Sequence, residues 1–62
     1  MAKFREELKS ALDRFDIIRA EAVADKVHEA EENGYELTAA EEKLFDKLTK
    51  CIQSYRRALY SL

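Results

Sequence analysis

Asn33-Gly34-Tyr35-Glu36-Leu37-Thr38-Ala39-Ala40-Glu41 decides how this chain folds: it holds the only glycine in 62 residues and sets a helix-stop signal directly before a helix-start signal. Asn-Gly enters the left-handed backbone region readily and ends a helix. Thr38 and Glu41 stand at the spacing of a capping box, in which hydroxyl and carboxylate each satisfy a backbone donor left open by the first helical turn. The chain on either side is charged and amphipathic, and it contains no proline. The expected architecture is all-α: a two-helix antiparallel hairpin, with helices over about residues 2–32 and 39–61 and a turn over 33–38. Residues 1–62 form one domain, and two such hairpins are expected to dimerise into a four-helix bundle.

The dimer follows from size. A single core in a chain this short supplies about 3–5 kcal/mol and needs a supplement. Cys51 is the only cysteine, so no internal disulfide exists, and His28 with Cys51 cannot close a zinc site alone. Oligomerisation is left, and no cofactor or metal is expected. With 47% apolar and 39% charged residues, the composition is that of a helical bundle and too apolar for a disordered tail. The start, Met1-Ala2-Lys3-Phe4-Arg5-Glu6-Glu7, is charged and periodic, unlike a signal peptide, and no apolar run approaches the ~18 residues of a membrane span. A soluble cytoplasmic protein with no membrane partner is expected.

Charge is segregated along the chain, at +1 over residues 1–20, −7 over 21–42 and +4 over 43–62. In a hairpin this makes the turn end acidic and the end carrying both termini basic. Leu44, Leu48, Cys51, Tyr55, Leu59 and Leu62 form a helical stripe along the second helix, widened on one flank by Phe45 and Ile52. The first helix begins with Phe4, Leu8, Ala11, Phe15, Ile18 and Ala22 on one face, whereas Val23, Val27 and Ala30 are rotated well away from it. Either that helix is bent or broken near residues 16–20, or its halves pack on different neighbours. At 1.5 Å per residue the first helix is about 46 Å long and the second about 35 Å, so Phe4 and Leu8 overhang. An antiparallel dimer would cover them, and the expected interface comprises Phe4, Leu8, Ile17, Val23, Val27, Phe45 and Ile52.

Candidate chemistry is sparse. Glu21, Asp25, His28 and Glu32 share one helical face, but that face lies opposite the apolar stripe, whereas metal sites in bundles project inward. Cys51 sits within the second apolar stripe and reads as a buried structural residue. No Ser/His/Asp set, glycine-rich phosphate loop or inward carboxylate pair is present, so no catalytic residues are assigned and the chain is not read as an enzyme. Lys43, Lys47, Lys50 and Arg57 align on the polar side of the second helix and could follow a phosphate backbone.

Asn33 to Glu41, continuing to Leu44-Phe45, resembles a segment of the Hha/YmoA family, small helical bacterial regulators that bind nucleoid-structuring proteins. That family's Asp-His-Arg run should follow, and Lys50-Cys51-Ile52 stands in its region, so the residues that would carry partner binding are absent. A second resemblance is to sporulation-type aspartyl-phosphate phosphatases, helical hairpins with a late tyrosine. Their Ser-x-x-x-Asp signature falls on Phe45 and Thr49, without the catalytic acid. The expected function is that of a small non-enzymatic protein-protein interaction or regulatory protein acting as a homodimer on an unknown protein partner, of the kind phages and plasmids encode to modulate a host protein. The alternative is a nucleic-acid-binding regulator using the basic stripe.

Overall fold

The computed structural model describes residues 3–61 and contains three packed α-helices: α1 (Arg5–Asp13), α2 (Ile17–Glu32) and α3 (Ala39–Tyr60). The all-α class stands. The first expected helix, however, is two helices separated at residues 14–16, because Asp16 leaves the helix. Its backbone is extended (φ −129°, ψ 121°), and its side chain accepts the Ile18 N–H at 3.0 Å as the N-cap of α2. The drifting apolar face supplies the driving force. Leu8 and Val27 are nineteen positions apart, so a continuous helix would set them about 100° apart around its axis. Breaking the helix lets both face one core.

The chain runs up, down and up. α1 is antiparallel to α2, as ion pairing of Glu7 with Lys26 and hydrogen bonding of Ser10 to Arg19 require. α2 is antiparallel to α3, with His28 beside Phe45 and Glu21 paired with Arg56. α1 is therefore parallel to α3, Phe4 meeting Glu41 at one end and Phe15 meeting Tyr55 at the other. This arrangement corrects the expected charge layout: the N-terminal segment lies at the turn end, so the basic pole does not carry both termini. It also removes the overhang, since Phe4 and Leu8 are buried.

The core consists of Phe4, Leu8 and Ala11 from the N-terminal segment and α1, Ala20, Val23 and Val27 from α2, and Leu48 and Ile52 from α3. Leu12, Ile17, Ala24, Leu44 and Phe45 are among the partly buried residues packed around it. The core face of α3 runs through Glu41, Leu48 and Ile52. Cys51 lies about a quarter-turn from this line and is exposed, correcting its expected burial. Tyr55 and Leu59 are likewise exposed, and Leu62 lies outside the described residues.

The turn forms as its residues dictate. Gly34 has φ +95°, the Tyr35 N–H donates to the Ala30 carbonyl at 2.9 Å and the Gly34 N–H to that of Glu31 at 3.0 Å. These are the two bonds of a Schellman stop. A Cβ at Gly34 would touch nothing within 4 Å, so the requirement for glycine there is one of backbone conformation alone. Among the described residues no helix is long and apolar enough to cross a membrane.

The break at Asp16 has a direct test. Asp16→Ala is expected to cost about 1 kcal/mol, a drop of roughly 4–8 °C in Tm for a domain this small, whereas Asp16→Ser retains most of the cap. Thermal melts followed by circular dichroism measure it; an unchanged Tm for the alanine variant would mean that the cap does not set the break.

Candidate functional site

At the turn end, Glu41 does more than cap α3. Its carboxylate is fully buried and accepts the Thr38 N–H at 2.9 Å and the Phe4 N–H at 2.7 Å, on opposite oxygens. The Tyr35 hydroxyl lies 2.7 and 2.9 Å from the two oxygens and shares its hydrogen between them. That hydroxyl in turn accepts the Lys3 N–H at 3.2 Å. The Phe4 and Tyr35 rings meet edge to face at 5.3 Å, with the Lys3 ammonium 5.5 Å from the Phe4 ring centre. One carboxylate thus ties the entry to α1, the α2–α3 turn and the start of α3. No buried side-chain nitrogen or oxygen among the described residues lacks a partner.

Burial pushes the Glu41 carboxyl upward, but the donors from Thr38, Phe4 and Tyr35 together outweigh it and hold the group below its ordinary value of 4.5. Tyr35 is raised above 10.0, first by its hydrogen bond to Glu41 and then by burial. The cluster is a structural clasp, with its ionised carboxylate fully used.

The opposite end is open. After Ile52 every described residue of α3 is exposed. Tyr55 (39% exposed) and Leu59 (53%) continue the core face of α3 beyond the core, and Phe15 (38%), from the α1–α2 corner, sets its ring 6.2 Å from that of Tyr55. Ile18 is also exposed, on the outer face of α2. Arg14, Arg19, Arg56 and Arg57 share this end with Asp13, Asp16 and Glu21, an excess of one positive charge. A third feature is an open groove of about 860 Å³ beside the turn, walled by Glu31, Glu36, Glu42 and Asp46 with one base, Lys43, and with Leu37 and Phe45 among its apolar lining.

The residues expected at an interface divide sharply. Phe4, Leu8, Val23, Val27 and Ile52 are buried in the chain's own core, where they cover one another and present little surface. Ile17 and Phe45 are partly buried and retain some surface, Phe45 lying edge-on to His28 at 5.4 Å. Lys43, Lys47, Lys50 and Arg57 all lie exposed on α3, with Lys50 paired to Asp46 at 3.2 Å. Glu21, Asp25, His28 and Glu32 do not converge, and no group of three or more His, Cys, Asp or Glu among the described residues is placed to hold a metal. Sequence reasoning found the Thr38–Glu41 cap but missed the reach of Glu41 to Phe4; Tyr35, between the stop and the cap, was the available signal. The exposed Phe15–Tyr55–Leu59 end was missed because periodicity shows that these residues continue apolar stripes but not that the core ends before them.

Lowered titration of Glu41 means that its stabilising contribution is complete above about pH 4.5 and is lost as pH falls through the depressed value. Glu41→Gln is expected to destabilise the fold at pH 7 by on the order of 2 kcal/mol and to flatten the acid limb of stability against pH. Urea melts from pH 3 to pH 7 test this, and parallel curves for the two proteins would remove Glu41 from the acid transition.

Comparison with protein-family models, with curated proteins and with solved structures finds no match to this chain.

Proposed function

We propose that this chain is a small non-enzymatic interaction protein: it self-associates through α3 and docks its open end, around Phe15, Tyr55 and Leu59, on a second protein. The observation that carries this reading is the exposure of α3 beyond Ile52. The last two turns of α3 extend an already nucleated helix, but with no buried residue among them they gain little from packing, and in proteins an amphipathic face packed on a neighbour supplies most helical stability. These turns carry Tyr55 and Leu59 on one face, and large apolar groups left exposed beside Phe15 are what a partner buries. Aromatic and arginine side chains dominate the energetics of protein interfaces, and both are concentrated here. With Arg14 next to Phe15 in the α1–α2 corner and Arg56 on the same end of α3, the partner surface that fits is apolar and carries acids at its rim. In the self-associated form, the α2–α3 hairpins of two copies contribute four helices to the assembly, with α1 outside them.

A second reading has its own support. Lys43, Lys47 and Arg57 form no ion pair among the described residues and share the outward side of α3 with Lys50, a spacing that suits a phosphate backbone. The overall charge of −2 weighs against it. Generic RNA and duplex DNA titrated at low salt decide the matter, because phosphate contacts are strongest there; absence of binding eliminates this reading.

Leu59→Glu separates docking from folding. The substitution is expected to change stability by no more than about 0.5 kcal/mol, as for an exposed site, while proteins captured from the source cell by the wild-type chain are lost. Capture that is undiminished, or a large fall in Tm, would show that the open end is not a docking surface.

A further inference from the structure

We propose that two copies pair through antiparallel α3 helices related by a two-fold axis at the level of Cys51, each copy seating its Arg56, Arg57 and Tyr60 end in the acidic groove of the other. The inference rests on the self-association proposed above and specifies its register. Its basis is one strip of α3, beside the core face, that carries Glu42, Asp46, Thr49, Gln53, Arg56 and Tyr60 at spacings of three or four residues. The strip is acidic in its first half, neutral at its centre and basic in its second half. Reversed against itself, it sets Asp46 opposite Arg56, Glu42 opposite Tyr60 and Thr49 opposite Gln53. A parallel pairing would instead bring like charges together, at a cost in affinity.

The groove occupies the acidic half of this strip. At about 860 Å³ it has room for a tyrosine ring and an arginine head, and its walls add Glu31 and Glu36 to Glu42 and Asp46 against the single base Lys43, so the groove stays acidic. Tyr60, 89% exposed, is the large side chain most in want of cover. The helix macrodipole explains acids in the first turn and a base in the last, but its influence ends within those turns and does not reach Asp46. The existing partners do not prevent exchange: the Asp46–Lys50 and Arg56–Glu21 pairs are solvent-exposed, a class worth little. A basic peptide would fill the groove but leave the Arg56–Tyr60 half unmatched. A second copy matches both halves with the same contact made twice, as a two-fold interface does.

The strip from Glu42 to Tyr60 is about 27 Å long and, with a helix about 10 Å across, covers on the order of 300 Å², small beside the ~800 Å² per partner of a standard stable interface. The dimer is therefore weak and salt-sensitive. Sedimentation equilibrium at about 0.5 mM chain and about 20 mM salt, where the screening length is roughly 20 Å, is expected to show dimer, and about 0.5 M salt to dissociate it. Asp46→Lys and Arg56→Glu should each raise Kd by about tenfold or more, with circular dichroism confirming the fold. An equimolar mixture of the two variants should dimerise again, because each then meets its opposite. A wild-type chain that stays monomeric at low salt overturns the self-association itself. A wild-type dimer that both charge reversals leave intact overturns this register while self-association stands. Monomeric wild type whose groove binds a poly-lysine peptide would assign the groove to a basic partner and overturn the proposal.

Discussion

The buried carboxylate of Glu41 is the constraint on which the rest of the structure depends. Removing an ionised group from water is costly unless donors replace the lost hydration, and here they come from three places in the chain: Phe4, Tyr35 and Thr38. Because the Phe4 N–H is one of them, the chain entering α1 is pinned beside the start of α3. With that end held, and Phe15 against Tyr55 at the other, α1 runs along α3, and α2, started by the Asp16 cap, returns against both. The clasp and the Asp16 break together give up-down-up instead of one long helix paired with another.

With that topology fixed, a small core suffices to order most of the chain. Eight buried apolar residues make it up: three from the segment entering and forming α1, three from α2 and two, Leu48 and Ile52, from α3. Ala11 and Ala20 are completely covered near the α1–α2 corner, where larger side chains would hold the helices apart. The N-terminal half of α3 is thus committed to folding. Its C-terminal half is not, and the division falls at Ile52, the last buried residue of the helix.

The fold was legible in the sequence where a local signal had one meaning. Gly34 and the Thr38–Glu41 pair mark the turn and the start of α3 because left-handed backbone and orphan helix donors have few other solutions. The rotation between the Phe4–Leu8 stripe and Val23–Val27 was also visible, but periodicity cannot choose between a bend, a break and two neighbours. Asp16 chose the break, and an aspartate among other charged residues is not by itself a cap signal. Burial was least legible on α3. A stripe through Cys51 and Tyr55 and one through Phe45 and Ile52 are both apolar and helical, and only the placement of α1 selects the face through Leu48 and Ile52. The interface set suffered from the same ambiguity: Phe4 and Leu8 had no internal neighbour in a two-helix reading, and acquired one when α1 turned back.

The polarity of charge along α3 is then best explained by what the core does not use. Packing consumes the Glu41–Leu48–Ile52 face, and the ion pair that crosses from α3 to α2, Glu21–Arg56, lies on the surface where such pairs contribute little. Folding alone would be served as well by charges of both signs interspersed along the helix, which also discourages association. Along α3 as a whole Lys43 and Lys47 stand among the acids, but on the strip from Glu42 to Tyr60 the acids lie at the groove and the arginine and tyrosine where the helix leaves the core. A helix of opposite ends offers its own reverse as a complement, so the feature that folding leaves unexplained is the one that antiparallel pairing requires.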